Sequence, residues 1–184
     1  MEIKIETSAR HIHLTKADYK QLFGDSGPTP EKDLSQGDQA CTEMVEISGP
    51  KSSIKNVRVI IPFRDYSQVE ISRTDCFAMG IDAPLKISGD LPGAKIKTVG
   101  PMGEIEKDTA IVAKRHLHLP PAEAEKLHLN NSDNVSVEIN TDRKTTYSNI
   151  VVRVKENYST SIHLDTDEAN AAGISGETSG ELIL

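Results

Sequence analysis

Apolar and polar positions alternate along most of this chain with the two-residue period of strands, and only short stretches carry the wider period of helices. Ile3 and Ile5 face one way and Glu2, Lys4 and Glu6 the other, which predicts a half-buried strand over residues 1–7. Thr15 then reads as a helix N-cap with Asp18 as an acidic capping-box partner and Gly24 as the stop. Asp25 to Gln39 is rich in Gly, Pro, Asp and Ser, lacks an apolar period, and reads as a long surface loop. Two apolar-rich runs, Met44 to Ile47 and Val57 to Ile61, flank Ser48-Gly49-Pro50-Lys51 and predict a hairpin. Ser67 to Ser72 alternates with Val69 and Ile71 on one face and Gln68, Glu70 and Ser72 on the other. Thr74-Asp75 predicts the cap of a single helical turn closed by Gly80, and short strands follow at Leu85 to Ile87, Ile96 to Val99 and Ile105.

The second half repeats the plan. A strand is predicted over Ala110 to Leu119, a short helix opens at Pro120-Pro121, and strands at Val135 to Ile139 and Ile150 to Val154 flank a polar turn at Thr141 to Lys144. Ser161 to Leu164 then reads as a strand ahead of an Ala-rich helix capped by Asp165 or Thr166 and closed by Gly173. Strands dominate, and their spacing is that of a barrel or sandwich.

The plainest signal of repetition is chemical. Ser8-Ala9-Arg10-His11-Ile12-His13-Leu14 returns 105 residues later as Ala113-Lys114-Arg115-His116-Leu117-His118-Leu119, and the likeness extends to Ala17 with Ala122, Asp18 with Glu123 and Leu22 with Leu127. In a strand, residues two apart share a face, so each His-x-His presents two imidazoles together while Ile12 or Leu117 points away. Such a pair suits one metal ion. A single His-x-His is readily an accident of an exposed strand; two in the same Arg-His-aliphatic-His-Leu setting favour metal. His163, on a strand just before a helix cap, shares that placement and joins the candidate ligands. His128 falls at the repeat position of Phe23 and is assigned to packing or surface.

Among the acids, Glu70 is the best candidate because it lies on the polar face of its strand near Arg64, although on periodicity alone a solvated strand face is the better reading. Asp165, Asp167 and Glu168 sit where helix capping accounts for them. Arg10 and Arg115 start on the strand face opposite the histidines, a placement suited to pairing with acids that support the fold.

Composition narrows the rest. The formal charge is −7, with 21 basic against 28 acidic residues, and no basic run or aromatic-rich stacking segment is present, so a nucleic-acid partner is not expected. Cys41 and Cys76 have neither disulfide-framework nor zinc-knuckle spacing and fit a reducing cytoplasm. No apolar run has the length of a bilayer span, and the opening residues lack a signal-peptide block, so no membrane role is expected.

The repeated RHIHL and RHLHL, the segment FRDYSQVEISRTD, the turn SGDL, the VGP-x-G turn and the closing SIHLDTDEANAAGI together resemble the PduL-type phosphotransacylases, the phosphate propanoyltransferase family. The resemblance runs from about Ile3 to Gly173. It implies a mainly β protein: two closed β-barrels with short capping α-helices, related as a pseudo-repeat, with a dinuclear metal site between them. The domains would be discontinuous, residues 10–113 forming one barrel and residues 1–9 with 114–184 the other. It further implies that His11, His13, Glu70, His116, His118 and His163 hold two Zn2+ ions or other divalent metals, and that Arg64 binds phosphate. Phe77, Ser88 and Ala113 are implied as contacts for coenzyme A. The expected reaction exchanges the CoA of a short acyl-CoA, propanoyl-CoA or acetyl-CoA, for phosphate, as in propanediol degradation. No Ser or Cys has an obvious base partner, which favours direct attack by phosphate.

Two departures stand out. Family members bound for bacterial microcompartments carry an amphipathic extension before the first barrel, whereas nine residues precede Arg10 here, so a cytoplasmic location is expected and encapsulation stays open. Pro92-Gly93-Ala94 also follows SGDL where the family pattern leads us to expect a serine near the third place. The resemblance allows a homodimer. The rival readings are a dinuclear metallohydrolase of esters or thioesters, and a noncatalytic metal-dependent binding barrel.

Overall fold

The computed structural model describes residues 1–184. In its first half the chain runs through strands β1 (Glu2–Ser8) and β2 (His11–His13), helix α1 (Lys16–Phe23), then β3 (Pro30–Asp33), β4 (Gln39–Ser48), β5 (Ser53–Ile61) and β6 (Gln68–Glu70). Helix α2 (Arg73–Met79) leads to β7 (Leu85–Lys86), β8 (Ala94–Val99) and β9 (Glu104–Ala113). The second half comprises β10 (His116–Leu119), α3 (Pro121–Lys126), β11 (Asn134–Ile139), β12 (Thr145–Val154), β13 (Ser161–Asp165), α4 (Thr166–Ala171) and β14 (Thr178–Ile183). The chain forms two compact units, one of Met1–Ala9, Ser35–Gly37 and Lys114–Leu184, the other of Arg10–Leu34 and Asp38–Ala113.

The first of these units is a closed barrel in the order β1-β13-β10-β12-β11-β14. Its filling follows from the alternation: Ile3 and Ile5, Leu117 and Leu119, Val135, Val137 and Ile139, Ile162 and Leu164 all turn inward and are buried. Burying each such side chain contributes about 1.5–3 kcal/mol. β14 lacks a comparable sequence signal because one of its inward positions is Gly180, where a Cβ would meet Val137 Cγ2 at 2.7 Å and the Glu138 carbonyl oxygen at 2.9 Å. Glycine lets the strands close there.

The second unit closes through six strands in the same way. β4 pairs with β5, β5 with β2, β2 with β6, β6 with β9, β9 with β8, and β8 returns to β4. The pairing senses match the other barrel one for one: β2 is parallel to β5 and antiparallel to β6, just as β10 is parallel to β12 and antiparallel to β13. β9 takes the part played by β1, since each runs parallel to the strand that follows the His-x-His in the ladder. The protein is therefore mainly β, two closed six-stranded barrels with a few short helices, built on one repeated pattern.

Four local expectations need correction. β3 lies within the stretch read as loop; all four of its residues are exposed, so only the backbone ladder to Gln39, Ala40 and Cys41 makes it a strand, and no apolar period could reveal it. The strand expected over Ala110 to Leu119 is two strands, broken at Lys114-Arg115 where the chain leaves one barrel for the other. The cap of α2 is Ser72, with Asp75 completing a reciprocal capping box, not Thr74-Asp75. At α1, Thr15 does cap the Asp18 amide, but the Asp18 carboxylate is claimed by Lys107 at 2.7 Å and by the Ser67 hydroxyl.

Candidate active site

In the unit of residues 10–34 and 38–113, Ile12 enters the core and its two neighbours share the opposite face of β2. The antiparallel register sets Glu70 directly across from His11. Residues opposed in this way approach closely on one face, so a third donor arrives beside the two imidazoles. The donor atoms of His11, His13 and Glu70 all lie within 4.8 Å of one another, and His11 Nε2 is 3.6 Å from Glu70 Oε2. Glu70 is 7% exposed, so its carboxylate meets these neighbours largely out of contact with water.

A polar chain leads from Glu70 to Arg64. The Ser88 hydroxyl donates to Glu70 Oε1 at 2.5 Å, and Arg64 donates to Ser88 Oγ at 3.2 Å and to the Tyr66 hydroxyl at 3.4 Å. Arg64 also faces Asp38 Oδ2 at 3.6 Å. Ser88 is placed by Gln68, which accepts from the Gly89 amide at 2.8 Å and donates to the Asp90 carbonyl at 2.9 Å. Gly89 has φ +108 and lies against the Tyr66 hydroxyl, a backbone state that a side chain strains.

The unit containing residues 114–184 repeats the triangle with a different third member. His116 and His118 share one face of β10, His163 lies opposite His116, and their donor atoms again fall within 4.8 Å. His118 is the telling residue: both ring nitrogens are buried and neither has a hydrogen-bond partner, while its ring stacks on Tyr158 with centroids 3.9 Å apart. Burial first, then the neighbouring imidazoles of His116 and His163, push its protonation far below the usual histidine range. A neutral, desolvated imidazole with an unmet lone pair is costly in isolation and well suited to a cation. The donor sets of both units therefore fit a divalent metal of the nitrogen- and oxygen-binding kind.

The arginine before each histidine pair braces the triangle. Arg10 binds Asp75 through two hydrogen bonds, at 2.8 and 3.0 Å, and Arg115 meets Glu168 at 3.0 Å while its guanidinium lies 4.9 Å from the Tyr147 ring centroid. Asp75 and Glu168 hold the same post, the third residue of a helix whose capping box follows the strand of the third donor. Each pair thus ties the His-x-His strand to the strand opposite. Asp75→Asn weakens both the ion pair and the capping box; we expect a loss of about 1–3 kcal/mol, a fall of several degrees in melting temperature followed by circular dichroism.

The remaining sequence candidates separate. Ser88 sits inside the Arg64–Glu70 network, Phe77 projects from α2 with 81% exposure and Lys51 Nζ 5.5 Å from its ring centroid, and Ala113 pairs with Lys86 at the end of β9. His128 is exposed in a turn. Sequence reasoning passed over Gln68, Tyr158 and Glu6. Gln68 shares the polar face of β6 with Glu70, and that shared face was the available signal.

Fold and site define a class: a double β-barrel protein with a three-donor His/Glu or His cluster in each barrel, the first joined to an arginine. The phosphate propanoyltransferase family model matches residues 4–175. A phosphate propanoyltransferase of Clostridioides difficile is 45% identical over 98% of this chain and 88% of its own length. One from Thermotoga maritima is 42% identical over 98% and 87%, and one from Klebsiella pneumoniae 45% over 93% and 83%. The chain belongs to the phosphate propanoyltransferase family, a family of acyltransferases.

Proposed function

We propose that this protein is a phosphate acyltransferase that interconverts a short-chain acyl-CoA and phosphate with acyl phosphate and CoA. The observation that carries this reading is Arg64 joined through Ser88 to Glu70 of a His-His-Glu cluster: a cationic fork beside a metal-binding triad. In the forward direction a phosphate oxygen attacks the thioester carbonyl, the carbon–oxygen bond forms, the carbon–sulfur bond breaks, and the CoA thiolate leaves and takes up a proton. Arg64 holds phosphate by two parallel N–H···O bonds, a geometry that fixes the attacking oxygen. Ser88 directs its proton to Glu70 and its lone pair to Arg64, keeping the guanidinium oriented. His11, His13 and Glu70 would hold one divalent ion and His116, His118 and His163 a second; when bound, such ions polarise the carbonyl and counter oxyanion charge.

Zinc is the metal that imidazole and carboxylate donors suit best, and two per chain is the stoichiometry we propose. We propose Phe77, Ser88 and Ala113 as contacts on the CoA path, residues 10–113 and 1–9 with 114–184 as the two domains, and a cytoplasmic location. The free, buried thiols of Cys41 and Cys76 support a reducing compartment, and no helix is long and apolar enough to cross a membrane. A homodimer and a role in propanediol degradation follow from the family resemblance. The hydrolase reading is not favoured, since the matched relatives cited above carry the transferase name.

The reading is tested by incubating the protein with propanoyl-CoA or acetyl-CoA and phosphate, and trapping acyl phosphate with hydroxylamine. Acyl hydroxamate equal to the CoA released is expected for at least one of them. CoA release with free acid as the only other product would refute the transferase.

A further inference from the structure

β1 runs parallel to β13 with Glu6 level with His163, and the Glu6 carboxylate lies 3.5 Å from His163 Nε2. Two further contacts make it a placed acid. Lys4 Nζ is 2.6 Å from its Oε1, and the Ser35 hydroxyl donates to its Oε2. Ser35 is itself anchored in the same unit: its carbonyl accepts from the Ser159 amide at 3.1 Å, and Asn157 donates to the neighbouring Gln36 carbonyl at 3.3 Å. Glu6 is 21% exposed, whereas Lys4 is 58% exposed and its charge is correspondingly screened by water.

The two donor clusters differ in charge. His11, His13 and Glu70 carry a formal negative charge; His116, His118 and His163 are three neutral imidazoles when ready to bind a cation. The pairing that brings Ile111 level with Glu70 in one barrel brings Glu6 level with His163 in the other, so the acid enters on the neighbouring strand at the equivalent place. We propose that Glu6 is a positioning residue that orients the His163 ring and supplies the three-histidine cluster with its missing negative charge, raising its affinity for a divalent cation. This rests on the reading of that cluster as a metal site. Ser8 Oγ at 3.2 Å from His163 Nδ1 and Ser161 Oγ at 3.1 Å from Nε2 also lie beside the ring, and either hydroxyl can turn to donate or accept. A carboxylate can only accept when ionised, so Glu6 is the partner that selects a ring orientation.

The test is an equilibrium zinc titration of the full chain against a chromogenic chelator, comparing the parent protein with Glu6→Gln and Glu6→Asp. Glutamine keeps the shape and removes the charge; aspartate keeps the charge and withdraws it. The parent protein is expected to bind two zinc ions. In Glu6→Gln one of the two dissociation constants should rise about tenfold to a hundredfold with the other unchanged, and Glu6→Asp should fall between. Melting temperatures of the metal-free proteins should agree within a few degrees. Two unchanged constants in Glu6→Gln overturn the role of Glu6 alone, as does an equal loss at both sites. A parent protein without zinc binding overturns the metal reading and the role of Glu6 with it.

Discussion

Replacing His118 with alanine should remove one zinc per chain and lower turnover at least about a thousandfold. Its imidazole is buried, kept neutral by burial and by its histidine neighbours, and has no protein partner for either ring nitrogen, so the side chain is arranged for a ligand the chain itself does not provide. If the cluster holds the proposed ion, losing one of three donors strips it; such an ion's electrostatic contribution to a transition state is several kcal/mol, and about 4 kcal/mol corresponds to roughly a thousandfold in rate. The measurement is elemental zinc per chain alongside kcat in the same preparation. His128→Ala, at the exposed histidine, should change neither. A His118→Ala protein that keeps two zinc ions and full turnover would remove the three-histidine cluster from the account.

Arg64→Ala acts on a different part of the reaction. Each hydrogen bond to a charged group is worth about 1.5–3 kcal/mol, so losing a two-bond grip on phosphate should lower kcat/KM for phosphate by roughly two orders of magnitude or more. The KM for acyl-CoA and the zinc content should move little, because Arg64 is linked to the cluster through Ser88 and is not one of its three donors. Arg64→Lys keeps the charge but not the planar fork and should recover only part of the loss. Initial rates over a phosphate series decide the matter; an unchanged phosphate dependence would exclude Arg64 as the phosphate residue.

Much of this site was legible in the sequence because its chemistry is written in strand periodicity. A His-x-His repeated in one context announces two shared faces, and Ile12 and Leu117 between the histidines point to the core as alternation requires. What periodicity cannot contain is register. That Glu70 stands across from His11, and His163 across from His116, depends on which strands pair and at what offset, a property of residues 47 to 59 positions apart in the chain. Strand context already made Glu70 and His163 candidates and the family resemblance joined them to the histidine pairs; the pairing shows that the glutamate of one barrel and the histidine of the other occupy the same corner of a repeated fold.

Glu6 shows the same limit from the other side. On the strand it is one of several polar alternates, indistinguishable from Glu2, and only the parallel pairing with β13 sets it beside a histidine 157 positions later. Gln68 gave one signal, the polar face it shares with Glu70, but its contact with the backbone of Gly89 and Asp90 is one no side-chain pattern encodes. β3 and β14 were missed because a ladder on an exposed edge, and a strand with glycine at one of its two inward positions, offer little apolar contrast. The placement of the two arginines predicts support from the opposite face, but their acids belong to helix capping boxes, where capping alone accounts for an acid in sequence.

In the proposed reaction phosphate, and not water, attacks the thioester in a step that needs the metal. The most direct measurement is CoA release from propanoyl-CoA and acetyl-CoA, with and without phosphate, on protein whose zinc has been counted, stripped by chelation and restored. Release that requires phosphate, disappears with the metal and returns with zinc is the predicted result. Release that proceeds equally without phosphate, or survives complete removal of metal, would contradict it.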